Sequence, residues 1–140
     1  MDVLELIRGG SASGEKVFAE LGAVAPDAML GTWRGGLFDG SEPMAARLVK
    51  MRWYGKRFND AENVEPLLCL DDKDEIHSFD GMGMARLREM SHRGLVSAAM
   101  VYDTQPIIDH FRRIDDDHVM GAMDAKGVGS VLYFHLTRVW

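Results

Sequence analysis

The sequence predicts a mainly β protein, a small antiparallel β-barrel with helices at its N-terminal end. Three observations carry this. From about residue 53 onward, short apolar or alternating runs are separated by turn signals at regular spacing, the pattern of a sandwich or barrel. The stretch GTWRGGLFDG, residues 31–40, sets four glycines around Trp33, which suits a strand that must bend sharply. The last strand carries an apolar row, Leu132, Phe134 and Leu136, that ends on Arg138, whose guanidinium is suited to covering an aromatic ring. A meander that closes puts its first and last strands side by side. Trp33 then plugs the floor of the barrel and Arg138 stacks on it, with Gly31 and Gly35 permitting the curvature.

Taken in order, residues 2–8 read as a short helix with Asp2 and Glu5 near its positive end, stopped by Gly9 and Gly10. Ser11 or Ser13 caps a second helix, 14–21, with Val17, Phe18 and Leu21 on one face. Gly22 ends it and Pro26 starts a turn. A strand follows over 31–38, with Trp33, Gly35 and Leu37 on one face, and Asp39-Gly40 is a turn. Ser41 caps a third helix, 43–51, whose Met44, Leu48 and Met51 form a core-facing stripe. WYGKRF, 53–58, reads as a strand with a bend at Gly55. LLCL (67–70) and IHSF (76–79) are strands around a charged turn. Residues 84–90 and 95–102 flank the turn SHRG. Residues 107–114 and 118–125 flank Asp115-Asp116-Asp117, a solvated turn, and the final strand covers 130–139. The whole chain, 1–140, is expected to be one domain, with 1–30 a helical segment and 31–140 a barrel of about eight or nine strands.

Composition narrows the function. The chain has 46% hydrophobic and 27% charged residues, an ordinary balance for a globular protein. Its net charge of −6 opposes nucleic-acid binding, where a basic face supplies most of the affinity. No apolar run is long enough for a membrane span. The first ten residues lack a basic stretch and do not read as a signal peptide, and one cysteine, Cys69, excludes an internal disulfide. Together these predict a cytoplasmic location. Ten methionines suit irregular apolar space, whether core or ligand pocket.

The Gly31-x-Trp33 start with a late Arg138 resembles the calycin pattern of lipocalins and fatty-acid-binding proteins. The longer form Gly31-x-Trp33-x-Gly35, with WYGKRF, PIIDHFRRIDDD (106–117), GAMDAKG (121–127) and the terminal YFHLTR (133–138), resembles the GXWXG-motif family of bacterial proteins, in which the motif precedes a C-terminal domain of unknown function. That family is largely uncharacterised, so the resemblance implies little about activity.

The residues themselves suggest binding before catalysis. The five histidines, His77, His92, His110, His118 and His135, have no H-x-x-x-H spacing and no cysteine partner, so no metal is expected from spacing. No nucleophile elbow and no dinucleotide fingerprint is present. Asp109-His110 with Arg112 is the best acid–base group. Neighbours on a strand point to opposite faces, so Asp109 and His110 cannot both enter one pocket. His135 in YFHLTR resembles the axial haem ligand of the nitrobindin group, although alternation sets it opposite the apolar row. The expected function is binding of a small apolar or amphipathic anionic molecule, a fatty acid or phospholipid, inside the barrel. Arg34, Tyr54, Lys56, Arg57, Tyr102, His110 and Arg112 are the candidate anchors, and His77 is a further donor. The alternatives are a cofactor-free enzyme with His110 as acid/base and haem binding through a histidine. Otherwise no cofactor is expected, and a homodimer is left open.

Overall fold

A computed structural model describes residues 14–38 and 43–140. The helix expected over 2–8, its stop at Gly9 and Gly10, the caps at Ser11, Ser13 and Ser41, and the turn at Asp39-Gly40 lie outside the described residues. Helix α1 covers 14–20. A 3-10 turn, Pro26–Met29, leads into β1 (Gly31–Leu37). Helix α2 (Pro43–Lys50) follows, one residue shorter than its stripe predicts, because Arg52 turns the chain with a left-handed φ of 55°. The remaining strands are β2 (Trp53–Phe58), β3 (Val64–Leu70), β4 (Ile76–Ser78), β5 (Ala85–His92), β6 (Leu95–Tyr102), β7 (Ile107–Asp115), β8 (His118–Ala125) and β9 (Leu132–Val139).

Eight of these strands close into an antiparallel barrel. The order β2-β1-β9-β8-β7-β6-β5-β3 returns on itself because β2 also pairs with β3, and β4 hangs on the free part of β3. Every pair is antiparallel. A mainly β, calycin-like barrel is therefore what the chain forms.

Most strands keep their expected bounds to within a residue; β9 starts at Leu132 rather than at 130, and β3 and β5 depart for local reasons. β3 starts at Val64 rather than Leu67, although Pro66 cannot donate to a ladder. The register shifts between Gly55 and Arg57, so Pro66 sits at an irregularity where no ladder donor is required. β5 runs on to His92, and the turn is only Arg93-Gly94, both in the left-handed region (φ 51° and 80°), as a two-residue hairpin demands. The strand therefore keeps His92 on its outward-facing row.

The interior is filled with side chains. Phe58, Phe111, Phe134 and Trp53 make a chain of edge-on ring contacts with centroids 5.8, 6.1 and 5.8 Å apart. Trp33 is 1% exposed, and its Nε1 donates to Met29 O at 2.8 Å, tying the 3-10 turn across the barrel end. The Arg138 guanidinium lies 4.3 Å from the Trp33 ring and donates to Leu30 O and Ala28 O at 3.1 and 2.7 Å. The glycines beside Trp33 have specific tasks. Gly31 has φ +119°, and a Cβ on Gly35 would lie 2.2 Å from the Trp53 ring.

The segment before the 3-10 turn mends a split in the wall. β6 and β7 pair only over Ala99–Val101, and further along Ala98 N donates to Val24 O and Arg113 N to Gly22 O, both at 2.9 Å. Ser97 Oγ donates to Phe111 O at 2.6 Å and accepts from Val24 N at 2.9 Å. Outside the barrel, Phe18 of α1 buries a second apolar cluster with Phe38, Met120, Ala122 and Tyr133.

Arg138→Ala removes a cation–π stack worth about 0.5–2 kcal/mol and two charge-assisted hydrogen bonds. Its urea midpoint should fall by the equivalent of about 2 kcal/mol. Arg34→Ala, on an exposed position of β1, should stay within about 0.5 kcal/mol of the parent.

Candidate functional site

Strand alternation divides the expected anchors between two surfaces. Lys56 lies opposite Trp33 on β1 and so faces inward. Asp109 pairs with Met100 and Met123, whose side chains are also in the interior core. Lys56 Nζ and Asp109 Oδ2 meet at 3.1 Å with the two side chains only 3% and 2% exposed. Lys56 Nζ also donates to Pro66 O at 3.1 Å and sits 5.6 and 5.3 Å from the ring centroids of Trp53 and Phe134. The irregularity that admits Pro66 into β3 thus leaves its carbonyl where the ammonium can use it.

Asp109 is the residue on which this centre turns. Its Oδ1 is buried and has no hydrogen-bond partner. Burial pushes its carboxyl above the usual carboxylate range, and the Lys56 ammonium pulls it back. Tyr102 is buried beside the same space. Burial raises its phenol well above the ordinary value, and the charge of Asp109 adds to the effect. Together with Leu48 of α2, Trp53, Leu67, Met123 and Phe134, these groups surround a cavity of about 20 Å³, roughly the room of one water molecule. A polar centre lies at the bottom and α2 contributes to the cover.

The other expected anchors do not reach this centre. Arg34 is exposed on β1. Arg57 is half-buried and pairs with Glu65 at 3.4 Å. Tyr54 is half-buried and outside the cavity lining. His77 is exposed on β4. His110 and Arg112 are buried, but on the outer face, which α1 partly covers. Arg112 donates to Phe18 O at 2.8 Å and to His92 O at 3.3 Å, and its guanidinium lies 4.6 Å from the Phe18 ring. His110 stacks on His92, centroids 3.7 Å apart and planes 6° from parallel. Burial, aided by His92, holds His110 down to about 4, so its imidazole is neutral at pH 7. His135 packs edge-on against Phe38 at 5.1 Å, and burial lowers it as well.

Sequence reasoning weighted His110 over its neighbour Asp109, and it missed Trp53 and the partnership of His92. One signal was available for Asp109. It shares a row with Ile107 and Phe111, and a carboxylate on a core row needs a buried cation. The stacking of His92 on His110 had no such signal, because it depends on how β5 and β7 flank β6.

Lys56→Met leaves Asp109 buried without its counter-ion. Its folded-state pKa then rises further above the unfolded value, so the variant should be near parental stability in acid and lose stability as pH rises through that pKa. At pH 7 the expected loss is about 3–5 kcal/mol by urea denaturation, and Lys56→Met/Asp109→Leu should recover most of it.

No curated protein matches the chain. A protein of solved structure from Thermomonospora curvata is 54% identical, covering 99% of this chain and 96% of that one, with a TM-score of 0.93. The family described as "GXWXG protein" matches residues 16–74, and "Domain of unknown function (DUF4334)" matches residues 83–138. Both segments give strands to the one closed sheet. The order of the two matches and the nearly full-length likeness place this chain in the GXWXG family, in the form that carries the C-terminal domain of unknown function.

Proposed function

We propose that the barrel binds a small amphipathic molecule of the fatty-acid class, its anionic head at Lys56 and Tyr102 and its apolar part beneath α2. The observation that carries this reading is the buried Lys56–Asp109 pair with Asp109 Oδ1 unsatisfied. Such a pair in an apolar interior adds little to folding stability, since desolvation offsets the attraction. A ligand carboxylate gives it a use. The ligand takes Lys56 as counter-ion, while Asp109 takes a proton and donates a hydrogen bond.

The filled interior sets the condition. A cavity of about 20 Å³ holds no acyl chain, so entry requires Leu48 and α2 to lift and Trp53 to turn. Buried methionines on the same walls, Met100 and Met123, are adaptable enough to repack around a guest. A single chain fits this demand better than a two-chain phospholipid. Among the described residues no helix is long and apolar enough to cross a membrane.

Titration with decanoate, followed by tryptophan fluorescence and native mass spectrometry, should show one molecule per chain and a change in the Trp53 signal. Affinity should rise as pH falls, because binding is coupled to proton uptake at Asp109, and Lys56→Met should weaken it roughly 10–100-fold. Absence of a bound species, or equal affinity in Lys56→Met, would discard the reading.

A further inference from the structure

His92, His110 and Asp124 belong to β5, β7 and β8, yet their side chains meet on the outer face of the barrel, over β6. The register makes the room. On its outward row β6 presents the small Ser97 and Ala99 there, with Ala99 opposite His110 and Ser97 opposite Met90, two residues before His92. Asp124 lies two residues beyond Ala122, the partner of His110, and so on the same face of the adjacent strand.

The stacked imidazoles leave nitrogen atoms unused. Nε2 of His92 and Nε2 of His110 are both buried without a hydrogen-bond partner, and the His110 side chain is only 7% exposed. Asp124 Oδ2 stands 3.7 Å from His110 Nε2, too far for a hydrogen bond. One nitrogen from each ring and one carboxylate oxygen lie within 4.8 Å of one another. Two buried polar atoms left unsatisfied cost about 1–3 kcal/mol each, and packing alone gives no reason to keep them. The guanidinium groups on this face are engaged elsewhere. Arg112 is bound to Phe18 O and His92 O, and Arg93 to the Tyr133 hydroxyl at 3.1 Å. The Arg112 bond also fixes the His92 backbone, as a positioning residue would.

We infer that His92, His110 and Asp124 form a binding site for a divalent transition-metal ion. Two imidazoles and one carboxylate select Zn²⁺ and its first-row neighbours over Ca²⁺ and Mg²⁺, which require oxygen ligands. Bringing the three atoms to bonds of about 2.0–2.2 Å asks for two movements: one imidazole turns out of the parallel stack, so that both ring nitrogens aim at one point, and Asp124, whose side chain is 53% exposed, changes rotamer. Three protein ligands leave coordination positions open. Asp124 also walls a surface groove with Ile108, Pro106 and Lys126, where a molecule completing the coordination has a place to lie. This site is independent of the barrel interior.

The test uses the full chain stripped with a chelator. Calorimetric titration with ZnCl₂ should give one ion per chain, and titration with CoCl₂ should give visible absorption bands of a bound ion. His110→Ala and Asp124→Asn should each weaken binding by at least the roughly 10–100-fold that loss of an outer-shell partner costs. Asp124→Asn, at a half-exposed position, keeps the test valid if circular dichroism shows that His110→Ala does not fold. His77→Ala and His118→Ala, outside the cluster, should leave binding unchanged. Lack of saturable binding by the parent chain, or binding that survives Asp124→Asn undiminished, would overturn the assignment.

Discussion

β1 is hydrogen-bonded along both edges, to β2 and to β9, and the rest of the structure depends on that closure. An open sheet leaves two edge strands and no enclosed face. Once β1 joins both neighbours, every strand has an inside and an outside, and the alternation of each sequence segment acquires a meaning. Trp33 and Arg138 hold the joint from opposite sides of it. The indole fills the barrel end and bonds to the 3-10 turn, while the guanidinium covers the ring and ties the same turn through Ala28 O and Leu30 O. The weakest part of the ring is elsewhere, between β3 and β5, which share only the pair Val64 and Ala85.

β7 shows how one strand serves two chemistries. Asp109 points into the barrel and His110 out of it, so adjacent residues meet wholly different partners. Inside, the low dielectric makes a lone carboxylate untenable and Lys56 is drawn in to meet it. Outside, His110 stacks on His92, and Nε2 of each ring is buried without a hydrogen-bond partner. Both environments disfavour charge through burial, with opposite effects on the two groups: the carboxyl is pushed up and the imidazole down.

The two family segments contribute unequally to these places. The interior centre needs both, since Lys56 comes from the first and Tyr102 and Asp109 from the second. It exists only when the two segments share one barrel. The outer cluster of His92, His110 and Asp124 lies wholly within the second segment.

Much of this was legible in the residues. Turn signals and alternation gave nearly all the strands, because a period of two and a glycine-bearing turn are local properties. The Trp33–Arg138 contact was legible too, since closure of a meander brings its ends together whatever lies between. The orientation of Asp109 opposite His110 followed from alternation alone. What filled the barrel did not. Whether Phe58, Phe111, Phe134 and Trp53 line a space or occupy it depends on how eight curved strands set the diameter, and that is a property of the whole sheet. The pairing of Lys56 with Asp109 and the meeting of His92 with His110 span 53 and 18 positions of sequence. No spacing rule reaches across strands whose register is set by bulges at Gly55 and a two-residue turn at Arg93-Gly94. The chain by itself determined which residues alternate and where it turns; the closed sheet decided which of them touch.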